Sequence, residues 1–284
     1  MDPSVARRMW HATEPIHALI YFAPEARAAF DGLGLKGFWM GYFASRVAPM
    51  GPVPAEVVSA VFYNFHPAMV HRAIPDAWAA ATPEAITAAR LEAAGAALER
   101  LLGRLLGPLR EAAQLLHRAA ESIDGAGRPL ASACTALPWA DDHHLELWQA
   151  ITTLREFRGD GHFASLLTHG VDGCEAHVMV AANGTVPGVL LQSNRGWSED
   201  DWAAASERLR SRGWLAGDGL LTPAGQEVHD AVERDTDRLA LPPWAALGDA
   251  DCTRIAGDLR PALVALVEQG ALPFPNPIGL PPPT

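Results

Sequence analysis

Lysine is almost missing from this chain: Lys36 is the only one, and every other basic side chain that is always charged is arginine. Such usage points to a GC-rich genome rather than to a mechanism. Cysteine is sparse too. Cys134, Cys174 and Cys252 lie far apart with no C-x-x-C pair, which excludes a sequence-evident zinc cluster or disulfide framework and fits a reducing compartment. No apolar run approaches the ~18 residues of a membrane span, and the opening MDPSVARRMWHATEPIH lacks the apolar core of a signal peptide. These absences predict a cytoplasmic protein with no membrane partner. Charged residues make up only 19% of the chain, and acidic ones prevail to give a net charge of −11. An acidic surface repels nucleic acid unless basic side chains gather on one face.

What is present is apolar and helical. Nearly half of the 284 residues (49%) are hydrophobic, enough for a sizeable core and too many for a disordered chain. Thr13 before Glu14-Pro15 predicts a helix start, and Pro24 opens a second segment that Gly32 to Gly34 closes. KGFWMGYFASRVAPMGP reads as a short apolar helix ended by Pro and Gly. PVPAEVVSAVFYNFHPAMVHRAIPDAW reads as two helical pieces broken at Pro67. Residues 82–122 form a long helical stretch interrupted near Pro108. GAGRPLASACTALPW is loop-rich, and helix resumes near Asp141 to run to Arg158.

The second half has the most ordered pattern. Ser198 caps SEDDWAAASERLRSRGWL, whose Trp202, Ala205 and Leu209 keep helical spacing. Trp214-Leu215, the turn Gly217-Asp218-Gly219, Leu220-Leu221 and then Thr222-Pro223 follow, opening another helix. Helix, tight two-strand wing and helix, with its LT-x-x-G element, resembles the wing region of MarR-type regulators over about residues 145–240. The first half reads as a worn copy. EARAAFDGLGLKGFW (25–39) aligns with GHFASLLTHGVDGCE (161–175), matching Ala28 with Ala164, Gly34 with Gly170 and Gly37 with Gly173. EPIHALIYFAPE, GFWMGYFASR, FYNFHP, REFRGDGH, RGWSEDDW and PFPNPIGLP together resemble a family of actinobacterial helix-turn-helix proteins over nearly the whole chain. That resemblance implies the fold and brings no mechanism with it.

The expected architecture is therefore mainly α: two winged-helix-like repeats joined by a long helical linker, with small β wings. Its divisions are a first repeat over 1–81, the linker over 82–140, a second repeat over 141–245, and a C-terminal helix with proline-rich tail over 246–284.

Chemistry is less explicit. Residues 198–212 set Glu199, Asp200, Asp201 and Glu207 against Arg208, Arg210 and Arg212, and the wing tip carries no basic residue. That balance is poor for reading bases or phosphates, so nucleic acid is not the expected partner. Glu14 and His17 are three apart on one helical face, with Tyr21 a turn further on. Glu-x-x-His is a metal-binding spacing in helical bundles, and with His66 these residues make a candidate ligand set for a transition metal or haem. Hydrogen-bonded core histidines are the plainer alternative. Trp39, Tyr42 and Asn64 add an aromatic and polar wall.

Arg155 and Arg158 share a face and suit a carboxylate or phosphate. The run Arg158-Gly159-Asp160-Gly161-His162 reads as a corner between two helices, with a glycine ending one and the aspartate capping the next. Its arginines and His162 would look into a cleft between the repeats. Asp141-Asp142-His143-His144 reads as a solvated cap, VAANGTVPG lacks a phosphate-loop glycine pattern, and no nucleophile elbow is present. The tail PFPNPIGLPPPT is expected to pack along the surface. Three functions follow: a protein binding a small molecule, anions included, or a metal or haem cofactor in that cleft, with DNA binding reduced or lost; a metal- or acid/base-dependent enzyme using the same cleft; or a ligand-responsive regulator acting on DNA as a dimer. An oligomer is compatible with all three.

Overall fold

The structure is a computed structural model that describes residues 1–282. It is mainly helical. The N-terminal helix α1 (Ser4–Ala18) is followed by α2 (Pro24–Gly32), α3 (Gly37–Val47), α4 (Ala55–Val61), α5 (Pro67–His71) and α6 (Asp76–Ala80). The middle holds α7 (Pro83–Leu102), α8 (Arg110–Glu121) and α9 (Pro129–Thr135). Then come α10 (His143–Thr168), α11 (Gly173–Ala182), α12 (Gly188–Arg195) and α13 (Glu199–Ser211). The chain ends with α14 (Pro223–Ala240), α15 (Pro242–Leu247) and α16 (Asp249–Glu268). Proline at the first turn starts many of them, where its missing N–H is no loss. The break at Pro67 and the interruption near Pro108 fall where expected.

Apolar spacing assembles the helices around three cores. Leu147, Trp148, Ile151 and Leu154 lie on one stripe of α10. They pack with Met9 and Ile16 of α1, Leu98 of α7, Leu116 of α8 and Ile255 and Leu259 of α16. The stretch read as a linker thus forms much of the central core. A second core joins α3 to α6 through Phe43, Val47, Val58, Phe62 and Val70. Phe43 and Phe62 meet edge to face at 5.3 Å and are fully buried, each contributing roughly 1.5–3 kcal/mol by burial. The third core lies under α11, α13 and α14, around Leu166, Val171, Met179, Leu209 and Val232.

Three local expectations need correction. The corner at 158–162 does not exist: α10 runs without a break to Thr168. A glycine ends a helix by entering the left-handed region, and neither Gly159 nor Gly161 does so; Gly170, with φ +64°, makes the turn. Gly161 instead permits a close crossing, because a Cβ there would lie 2.5 Å from Arg128 Nη1 and 3.2 Å from Leu239 Cβ. Asp160 caps nothing in its own strand of sequence and accepts from Ala131 N at 3.0 Å. The helix expected at Thr13 begins at Ser4 and carries Pro15 inside it, with Thr13 Oγ1 donating to Met9 O at 2.8 Å. The wings are minimal as well. Among the described residues the only β pairing is one antiparallel bridge, Leu215 to Leu221, at the predicted place, and the first half has none.

Candidate functional site

A cavity of about 910 Å³ opens between the two halves of the molecule. Its walls come from α1, α3, α10, α11, α12 and α14, from the loop around Asn64, and from the C-terminal segment Phe274 to Pro282. The halves are held together beside it by the 63–66 segment. Tyr63 OH donates to Val171 O at 2.8 Å, His66 N donates to Arg195 O at 2.9 Å, and the indole of Trp197 and the imidazole of His177 both donate to Asn64 O at 3.0 Å. Burial pushes His177 down to about 3, so it is the neutral tautomer with hydrogen on Nε2 that makes this bond. A Cβ at Gly173 would lie 2.1 Å from Tyr63 O, so glycine lets the two backbones touch.

One wall is aromatic. Phe38, Trp39, Tyr42, Phe62 and Phe65 line the cavity, with Tyr42 central: its ring lies 5.5 Å from Trp39, 5.6 Å from Phe65 and 5.1 Å from Tyr21. The other wall is cationic. Among the described residues, Arg7, Arg46, Arg155, Arg158 and Arg195 line the cavity against two carboxyl groups, Glu14 and Glu233.

Most of these charges are organised from behind. Arg46 on α3 grips Glu156 on α10 with N–O distances of 2.8 to 3.1 Å and donates to Tyr42 OH at 2.8 Å. Arg155 Nη1 donates to the same Glu156 at 2.9 Å, while its Nε is 3.5 Å from Glu14 Oε1. Burial alone would raise Glu156, yet Arg46 and Arg155 hold it well below the usual carboxylate range. Glu14, 1% exposed, loses that competition. Burial raises its pKa, Arg155 offsets this only in part, and Oε2 has no hydrogen-bond partner. Arg158 and Arg7 both reach Asp237 at 2.8 Å, and Arg7 also pairs with Glu233. Arg195 has no carboxylate partner among the described residues: it donates to Pro277 O at 2.6 Å and Asn194 O at 3.2 Å and lies over the Phe65 ring. Arg90 on α7 is buried behind the site, with Nε and Nη2 unpartnered, and sits over Trp148 at 5.0 Å.

Of the residues singled out in the sequence, Glu14, Tyr21, Trp39, Tyr42, Asn64, Arg155, Arg158 and His162 line this one cavity. His17 and His66 do not. Burial holds His17 well below the usual imidazole range, and both its ring nitrogens are in use, Nδ1 with Thr152 Oγ1 at 3.0 Å and Nε2 with Tyr21 OH at 2.7 Å. His66 caps α5, its Nδ1 accepting from Ala68 N at 3.1 Å, with its ring edge-on to Trp197. The expected Glu14, His17 and His66 ligand set therefore does not assemble, because each donor already has another partner or another place. Among the described residues no three His, Cys, Asp or Glu side chains are placed to share an ion.

Sequence reading missed Arg46, Glu156 and Arg195. A charged residue set in an apolar helix such as GFWMGYFASRV requires a buried partner, and that was the available signal. The α13 arginines are also engaged within the chain. Arg208 Nε and Arg212 Nη2 reach Glu175 at 2.8 and 2.6 Å, Arg208 Nη2 reaches Asp172 at 2.5 Å, and Arg210 is 3.6 Å from Glu207. Among the described residues no helix is long and apolar enough to cross a membrane.

No curated protein and no solved structure matches the sequence. The profile of the helix-turn-helix family does match, over residues 6–273. That span takes in both halves, the helices between them and α16, so the chain belongs to the helix-turn-helix family.

Proposed function

We propose that this protein binds a small organic anion with an aromatic or apolar body in the cavity between its halves, and that its helix-turn-helix architecture no longer serves primarily to read DNA. The observation that carries the reading is the sign of the cavity. In a chain of net charge −11, five arginines and two carboxyl groups of the described residues line one cavity, and among those residues Arg195 has no carboxylate partner. Guanidinium groups beside an aromatic wall suit a carboxylate or phosphate joined to a ring.

The halves read as two winged-helix-like repeats. Gly34 (φ +78°) and Gly170 (φ +64°) end α2 and α10 in the same way. In both turns the next residue is buried and bonds back five positions, Leu35 N to Phe30 O and Val171 N to Leu166 O. A helix then starts at Gly37 and at Gly173. The order of α11, α12, α13, bridged hairpin and α14 supports the MarR-like comparison. Against a DNA role stand the acidic start of α13 and the internal pairing of Arg208, Arg210 and Arg212. Three buried free cysteines support a reducing, cytoplasmic setting.

Thermal unfolding with and without 4-benzoylbenzoate, a diaryl carboxylate, tests the reading. At a hundredfold excess over Kd a bound ligand stabilises by about 2.7 kcal/mol, so the midpoint rises by several degrees. Arg195→Met should retain the fold and lose at least tenfold in affinity. No shift with the carboxylate, or an unchanged affinity in Arg195→Met, would overturn it.

A further inference from the structure

Two carboxyl groups compete for Arg155, and their fates differ. Glu156 takes Arg155 Nη1 at 2.9 Å and both Nε and Nη2 of Arg46. Glu14 retains one long contact of 3.5 Å, and Oε2 has no partner. Glu156 lies behind the wall, whereas Glu14 is part of it. A fully ionised carboxylate left in this state would be an under-satisfied buried charge. The neutral acid resolves the problem, since it needs an acceptor for one proton and the cavity is where an acceptor can arrive. Where neighbouring carboxyl groups are driven apart in this way, one is the anion and the other the proton donor.

Resting on the anion-binding reading above, we propose that the cavity's ligand carries an uncharged carbonyl oxygen besides its anionic group, and that Glu14 holds that oxygen by donating a hydrogen bond from its neutral carboxyl. The ligand class is thus a keto acid with an aromatic body, its charge met by arginine and its carbonyl by Glu14.

The groups that govern Glu14 come from several elements. Arg155 and Glu156 face it from α10 and Arg46 from α3. Tyr21, pushed up to about 12 mainly by burial, keeps its proton and is engaged with His17 on α1. Asp237 and Glu233 of α14 are engaged with Arg7 and Arg158. Binding that needs the neutral acid is strongest at low pH and weakens as pH rises through Glu14's raised value.

The test compares 4-benzoylbenzoate with 4-benzylbenzoate, which differ only by a ketone in place of a methylene. The protein should prefer the ketone by roughly threefold to tenfold, the scale of one net hydrogen bond. Glu14→Gln, which keeps a donor, should retain the preference and lose its pH dependence; Glu14→Leu should lose the preference while still binding both anions. Infrared difference spectra recorded as pH is lowered should show a protonated-carboxyl band that Glu14→Gln removes and Glu156→Gln does not. Equal affinity for the two probes, a preference surviving in Glu14→Leu, or no such band overturns the assignment of Glu14 and leaves the anion site standing. If neither probe binds, the anion site itself falls, and this inference with it.

Discussion

Arg46 and Glu156 lie 110 residues apart in sequence and meet as a two-pronged ion pair, 4% and 1% exposed, that fastens α3 to α10 at the cavity wall. Neither can be removed alone without leaving its partner buried and charged. Arg46→Met and Glu156→Gln should each lower stability by about 3–5 kcal/mol, read from urea midpoints. The double variant should lose less than the sum of the two, because the Arg46 charge goes with its partner and Arg155 keeps Glu14 as a carboxyl neighbour. Strict additivity would mean the pair is energetically idle.

Gly159 and Gly161 give a contrast within one helix. A Cβ at Gly159 meets nothing nearer than 3.8 Å, whereas one at Gly161 is forced against Arg128 and Leu239. The Arg128 guanidinium cannot easily withdraw, since it donates to Phe157 O and to Leu239 O. Gly159→Ala should stabilise by roughly 0.5–1 kcal/mol through helix propensity. Gly161→Ala should destabilise by about 1–3 kcal/mol through overpacking. Equal effects in thermal melts would contradict the crossing described for α10 and α14.

Burial raises Asp160 to about 6 despite its bond from Ala131 N, and the charge of Glu156 adds to the rise. Its folded value then exceeds the ordinary value of 3.8, so between these limits the folded state holds more proton than the unfolded one. Stability from this group is present at low pH and declines as pH rises from about 4 to about 6. Asp160→Asn should abolish that decline and become the more stable protein by roughly 2 kcal/mol above pH 6. A difference between the two proteins that does not vary with pH would show that Asp160 titrates normally.

On nucleic acid, the arginines of α13 are already occupied by Asp172, Glu175 and Glu207. Duplex DNA should not be retarded by micromolar protein near physiological salt, and any weak binding should vanish steeply with added salt. A fragment shifted at nanomolar protein and released by Arg208→Ala with Arg210→Ala would restore α13 as a reading head.

Proline, glycine and apolar spacing act over a few residues, and on that scale the chain is transparent. The helices starting at Pro24, Pro67, Pro83 and Pro223, the turn at Gly34, and the bridge at 215 and 221 all follow from local rules. So does the sharing of one face by Arg155 and Arg158, since both line the cavity. Local rules also misled. Gly159-Asp160-Gly161 carries every mark of a turn, yet packing against Arg128 and Leu239 keeps it helical. Pro15 suggests a helix start, yet the central core holds α1 straight through it. Glu14 and His17 have a metal-binding spacing, but the spacing is silent about Thr152 and Arg155, which claim them from α10.

The sequence by itself determined the helices, the family and the presence of arginines and aromatics that could make a site. It could not determine which carboxyl group would be the anion. That was decided by tertiary structure, because Glu14 and Glu156 differ less in their local sequence than in what α3 brings to them. Arg46 hydrogen-bonds to Glu156 and not to Glu14, and in a buried site the placement of a single guanidinium sets which carboxyl group is held as the anion.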